Sequence, residues 1–278
     1  MAHCIVDSAE KILDKSFPVL DYGFVRLVDY LGGDARIVQA ARVSYGEGTK
    51  TVREDAALID YLLRNDHTSP FEQVVLTFHL KMPIFVARQW VRHRTARMNE
   101  ISGRYSVLKN EAYIPTVSDL GLQAKNNKQG RAPASVDQTL AEKTISSMKE
   151  VQDYVFKNYD SLLNDNIAKE LARINLPLST YTEMYWQIDL HNLFRFLKLR
   201  CDWHAQKEIR DYAFTILDIV EKVAPSATAS FKTHILQGVS ISSREAQALS
   251  QVLEGKESGL DERERERLKE KLAKATTL

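Results

Sequence analysis

The stretch Val74-Val75-Leu76-Thr77-Phe78-His79-Leu80-Lys81-Met82 alternates without a break, with Pro70 before it and Pro83 after it. A period of two puts Val74, Leu76, Phe78, Leu80 and Met82 on one face and Val75, Thr77, His79 and Lys81 on the other. Such a pattern suits a half-buried strand and little else, so the chain must build a sheet. Gly23 to Asp29 reads as a second short strand and Thr180 to Ile188 as a third.

Helical patterns occupy most of the remaining length. Asp34 caps a helix carrying Ile37, Val38 and Ala41. Thr51 and Glu54 fit a capping box that opens a helix to about Arg64, striped by Leu58, Ile59, Leu62 and Leu63. Pro83 suits the first turn of a helix from Ile84 to about Arg92. Ser135 and Gln138 open a long helix to about Leu163, and a shorter one covers Ile167 to Ile174. Helices near Leu190–Arg200 and Ala205–Val223 follow, the second ended by Pro225. The expected fold class is α+β, helix-dominated, with a few-stranded sheet packed by several helices. Residues 1–240 read as a single domain. Residues 241–278 read as a charged extension, a solvated tail helix with Glu262–Arg265 and Glu264–Arg267 at i,i+3 spacing. The polar, basic stretch Gly121 to Pro133 reads as a surface insertion.

Net charge is +1, which gives no global field to attract nucleic acid or an anionic membrane, so an anion site must be built locally. Two widely spaced cysteines, Cys4 and Cys201, make no disulfide framework. The N-terminus lacks a basic region followed by an apolar core, and no apolar run approaches the roughly 20 residues of a membrane span. A cytoplasmic protein is expected, without nucleic-acid or membrane partners.

From His93 to Arg104 no period holds, and Asn99, Ser102 and Gly103 are turn formers, so this segment reads as a loop. Arg92-His93-Arg94 precedes it at a helix end, where basic residues complement the helix dipole. The loop adds Arg97, Asn99, Glu100, Ser102 and Arg104 with almost no apolar content. Arginine forks bind phosphate bidentately, and Ser102 with the amides near Gly103 could form an anion nest.

In this window the chain resembles the flavin-dependent thymidylate synthases, which carry Arg-His-Arg, seven residues, then Ser. Here the run is Arg92-His93-Arg94-Thr95-Ala96-Arg97-Met98-Asn99-Glu100-Ile101-Ser102, continuing Gly103-Arg104-Tyr105-Ser106. The family often has serine where Arg97 stands, so Arg97 receives no role. The resemblance runs from about Gly23 to about Pro225. It includes His67-Thr68-Ser69-Pro70-Phe71-Glu72, Ala87-Arg88-Gln89-Trp90, Arg173 before Leu176-Pro177-Leu178, and Leu197-Lys198-Leu199-Arg200-Cys201-Asp202-Trp203-His204-Ala205-Gln206.

The resemblance implies methylation of dUMP at C5, with methylenetetrahydrofolate as carbon donor and NADPH as reductant through a tightly bound FAD. It places Gln89, Trp90, Val91, Arg92, Glu100, Ile101, Ser102, Gly103, Arg104, Arg173 and Arg200 at dUMP. It places Ser69, Arg92, His93, Arg94, Glu100, Asp189, Leu190, His191 and Arg195 at the flavin. Arg200 is the catalytic residue it implies: a cation beside the pyrimidine, placed where negative charge develops and unable to act as an ordinary base. A homotetramer with active sites shared among chains is implied as well.

Other chemistries have weaker sequence support. Cys201 beside Arg200 could be an activated nucleophile, although free cysteines are mostly buried and inert. Cys201-x-x-His204 has metal-like spacing but no matching second pair, so no metal is expected. A nucleic-acid module built on Arg88, Arg92, Arg94, Arg97 and Arg104 would need a basic footprint, and Glu100, Asp189 and Asp202 interrupt it. No Gly-x-Gly-x-x-Gly follows a strand, and Gly46-Glu47-Gly48-Thr49-Lys50-Thr51 lacks the order of a P-loop.

Overall fold

A computed structural model describes residues 4–43, 52–124 and 130–274. Thr51 of the expected capping box, the Gly46–Thr51 run and part of the 121–133 insertion lie outside the described residues. The chain starts with the helical turn α1 (Asp7–Glu10), the strands β1 (Ser16–Val19) and β2 (Gly23–Leu31), and the helices α2 (Asp34–Arg42) and α3 (Val52–Arg64). Then come β3 (Val75–Pro83), α4 (Ile84–Trp90) and β4 (Arg97–Glu100). The ribbon β5 (Gly121–Gln123) and β6 (Arg131–Ser135) precedes the long α5 (Gln138–Asn164) and the short α6 (Lys169–Ala172). The strand β7 (Tyr181–Asp189) leads into α7 (Leu190–Arg200), α8 (Lys207–Val223) and α9 (Pro225–Phe231), and α10 (Ser243–Leu253) and α11 (Glu262–Lys274) follow.

Five strands make one antiparallel sheet in the order β1-β2-β3-β7-β4, and β5 pairs with β6 apart from it. The alternating stretch thus becomes the central strand, with β2 on one side and β7 on the other. Its apolar set, Val74 to Met82 by twos, is wholly buried. Leu27, Phe78 and Trp186 lie opposite one another across β2, β3 and β7. Trp90 of α4 meets Trp186 edge-on at 5.1 Å and lies 4.4 Å from Phe196 of α7. Each such side chain contributes about 1.5–3 kcal/mol by leaving water. Tyr212 of α8 donates its hydroxyl to the Lys81 carbonyl at 2.6 Å. A Cβ at Gly23 would overlap that hydroxyl, so only glycine lets the helix approach the sheet this closely.

Several expectations need correcting. The segment read as a loop contains β4, which pairs with β7 from Arg97↔Gln187 to Glu100↔Met184. It is an edge strand with all four residues exposed, so burial imposes no alternation for a sequence to display. Asp34 is not the cap of its own helix; Gly33 holds that place. Its carboxylate instead accepts from the Ser226 and Ala227 amides at 2.7 and 3.1 Å, capping α9 from far along the chain. Pro225 opens α9 rather than only closing α8. Ser135 lies in β6, and Asp137 caps α5 by accepting from the Leu140 amide at 3.2 Å. The helix read over 167–174 is a short α6 followed by a 3-10 turn, Arg173–Asn175.

The C-terminal segment folds as two helices, not one. Ser242 and Glu245 form a capping box on α10. Ala248, Leu260 and Leu268 bury one another, and Lys271 of α11 pairs with Glu245 at 2.7 Å. Among the described residues, no helix is long and apolar enough to cross a membrane.

Candidate active site

The first group of site residues forms where α4 and α7 end side by side. Ala87 and Trp90 bury one face of α4, which leaves Gln89 half-buried; Arg92, His93 and Arg94 follow the end of the helix. Arg92 and Arg94 are exposed. His93 and Arg200 are half-buried, and the imidazole lies edge-on to Phe196 at 4.8 Å. Arg200 Nε donates to His93 Nε2 at 3.0 Å, and its Nη2 donates to the Gln89 carbonyl at 3.4 Å. Burial first, and the Arg200 charge second, push His93 down to about 4. The ring is therefore neutral at pH 7, with a lone pair free to accept from the guanidinium. Burial also lowers the Arg200 pKa, yet a guanidinium keeps its proton across the physiological range. The Gln89 amide donates to Gln206 Oε1 at 2.5 Å.

The second group follows β4. Glu100 accepts from the Thr182 hydroxyl of β7 at 2.6 Å. Ile101 continues the pairing through its amide, which donates to the Glu183 carbonyl at 2.9 Å. Ser102 starts a turn: its carbonyl accepts from the Tyr105 and Ser106 amides, and its hydroxyl from the Arg104 amide at 3.3 Å. A Cβ at Gly103 would lie 3.0 Å from Arg173 Cδ, so the Arg173 side chain packs directly on the glycine. Arg104 is exposed and donates to Glu170 at 3.1 Å.

The third group runs from the opposite end of α7 to its middle. Asp189 caps that helix by accepting from the Asn192 amide at 2.9 Å. The Leu190 amide donates to the Val74 carbonyl at 2.8 Å, tying the helix to β3. Ser69, His191 and Arg195 have solvent-accessible side chains, and the turn after Ser69 packs against α7. Along α7, at about 1.5 Å per residue, Leu190 lies about 15 Å from Arg200 and Arg195 about 7.5 Å from it. Among the described residues, no hydrogen bond or ion pair within one chain joins any two of the three groups. Trp90 and Leu190 are fully buried, backbone included, so neither presents a surface to a ligand in this chain, while Val91 is half-buried and Ile101 exposed.

Cys201 is buried, and burial pushes its thiol up to about 12, which disarms it as a nucleophile. His204 is exposed, with its Nδ1 2.7 Å from Asp202, so the Cys-x-x-His spacing makes no joint site. Among the described residues, no three His, Cys, Asp or Glu side chains gather as metal ligands. A flavin dinucleotide needs cations for its phosphates and an open surface for its ring. Exposed Arg92, Arg94 and Arg195 with the Ser69 hydroxyl fit the first need, and the neutral His93 beside Arg92 suits the second.

The family model described as thymidylate synthase complementing protein matches residues 26–226. The chain belongs to that family. A second model, the ThyX C-terminal domain, matches residues 239–278. A flavin-dependent thymidylate synthase of Treponema denticola is 65% identical over 260 residues, covering 94% of this chain and 98% of its own length. One of Thermus thermophilus is 57% identical over 238 residues, 86% of each chain. Among solved structures, a UMP/dUMP methylase, PolB, from Streptomyces cacaoi bound with 5-Br dUMP aligns with a TM-score of 0.72 at 30% identity. That alignment covers 79% of this chain and 99% of the methylase.

Two further residues support the site without having been assigned to it. Gln206 anchors Gln89 from the start of α8, and Thr182 anchors Glu100 from the neighbouring strand. Gln206 lies inside the quoted Arg200–Gln206 run, whereas Thr182 becomes meaningful only once β4 is known to pair with β7.

Proposed function

We propose that this chain is a flavin-dependent thymidylate synthase that methylates dUMP at C5, taking its carbon from methylenetetrahydrofolate and its reducing equivalents from NADPH. The observation that carries the reading is the Arg200–His93 pair, a permanent cation held by a neutral imidazole at the mouth of an arginine-lined surface. FAD, when bound, relays the two electrons from NADPH. Arg200 places positive charge beside the pyrimidine N3 and O4, where negative charge accumulates as C5 becomes nucleophilic. His93 holds the guanidinium by accepting from Nε and the Gln89 carbonyl by accepting from Nη2, which leaves the other N–H donors for the substrate. Arg92, Arg104 and Arg173, with the Ser102 hydroxyl, hold the substrate phosphate and sugar.

Assembly completes this site. Among the described residues no hydrogen bond or ion pair within one chain links the Gln89–Arg200 group to the Ser102–Arg173 group, and Ser69, Asp189 and His191 lie towards the far end of α7. We place dUMP between the first two groups contributed by different protomers of a homotetramer, with the flavin spanning subunits. The absence of a paired cysteine fits a cytoplasmic setting. The test is tritium release from C5-labelled dUMP with FAD, NADPH and methylenetetrahydrofolate each omitted in turn. Release that needs all three is the expected result; release from a folded, flavin-loaded protein that ignores NADPH or the folate overturns the assignment.

A further inference from the structure

A cavity of about 570 Å³ lies between α5, the start of α8 and the β5–β6 ribbon, and borders the first group only through Gln206. Its walls are largely apolar: Phe85, Tyr113, Met148, Val151 and Pro177. One carboxylate, Glu208, is set into this lining and is 1% exposed. Its Oε1 accepts from the Tyr113 hydroxyl at 3.1 Å and from the Arg131 guanidinium. Its Oε2 is buried and has no hydrogen-bond partner. A buried carboxylate oxygen without a donor is a costly arrangement, and natural structures keep few of them. Asp119, the second acidic group of the lining, is already paired with Lys207 at 3.1 Å, so Glu208 Oε2 is the acceptor left over.

We propose that this cavity is a second ligand site, which takes a flat aromatic molecule carrying a cationic N–H donor, of the amidinium or aminoheterocycle kind, with the donor on Glu208. The apolar walls would hold the ring. The donor would satisfy Oε2, which it reaches by displacing the Arg131 side chain, itself 34% exposed. The cavity also touches the catalytic machinery. Gln206 lines it and accepts from Gln89, whose carbonyl accepts from Arg200. A ligand seated against Gln206 would therefore bias the position of Arg200, a consequence that rests on the function proposed above. The binding itself does not.

The experiment is titration of the full-length, flavin-loaded protein with benzamidine, followed by calorimetry, with benzoate as the oppositely charged probe of the same shape. Saturable binding of one benzamidine per chain, roughly tenfold or more tighter than benzoate, is expected. Met148→Trp places an indole in the cavity from a residue outside the core and leaves Glu208 untouched. It should weaken benzamidine binding at least roughly tenfold while dUMP affinity and melting temperature hold. Glu208→Gln, if it folds, should remove the preference for benzamidine. Absence of saturable binding, equal affinity for both probes, or wild-type binding by Met148→Trp overturns the proposal. Because the readout is binding, its failure is separable from a failure to release tritium.

Discussion

At the scale of single residues the proposed site holds one histidine neutral. His93 sits beside a permanent cation and half out of water, so protonating it would place two positive charges in contact. Its pKa in the folded chain is below the unfolded value of 6.5, near 4, so between those values the unfolded chain binds the extra proton. Stability should therefore fall as pH drops from 6.5 towards 4, by about 1–2 kcal/mol after discounting for a ring still half open to solvent. His93→Gln keeps a neutral acceptor and should flatten that part of the profile; urea midpoints of both proteins across the window provide the check. Arg200→Ala should lower tritium release by about 10²–10³-fold, the usual effect of removing one preorganised donor to a developing charge. Cys201→Ala should leave turnover within about twofold, because its thiol stays protonated in the core, and should cost only about 1 kcal/mol as a cavity. Loss of all turnover in folded Cys201→Ala would restore the nucleophile.

At the scale of elements, distant parts of the chain terminate one another's helices. Asp34, in the first turn of α2, caps α9 through two amides. Asp34→Ala should lower stability by about 1–2 kcal/mol, visible as a lower melting temperature, with unchanged turnover per folded chain. Asp34→Asn should recover much of the loss, since an amide oxygen still accepts. A fall in turnover with Asp34→Ala at full stability would contradict a purely structural role. The same scale explains the unexpected β4. Its residues look like loop because none is buried, yet β7 offers an unpaired edge of amides and carbonyls, and pairing satisfies both strands.

At the scale of the whole molecule, the prediction is that one chain alone cannot make a site. Arg200→Ala and Arg173→Ala damage different groups, and each alone should be nearly inactive. Subunits of the two mixed and reassembled should regain turnover, because some interfaces then pair an intact Arg200 group with an intact Arg173 group. No recovery in mixed oligomers confirmed by light scattering would place both arginines in the same chain's site, and a monomer in an active preparation would refute shared sites altogether.

The sequence alone determined the central strand, because one buried face forces a period of two, and it determined α7, α8 and most of α3 through their apolar stripes. It also carried the Arg92–Tyr105 window, since a dense set of polar side chains has to be spelled out in the residues themselves. Only the tertiary structure decided that Glu100 lies on a strand held by Thr182, that Asp34 caps α9, that Pro225 begins a helix and that the tail is a packed pair of helices. It also decided that His93 is neutral and Cys201 inert, while Trp90 and Leu190 are buried. Each of these depends on what a distant segment brings into contact, and burial, pairing partners and local dielectric are properties of the folded neighbourhood, absent from any local pattern of residues.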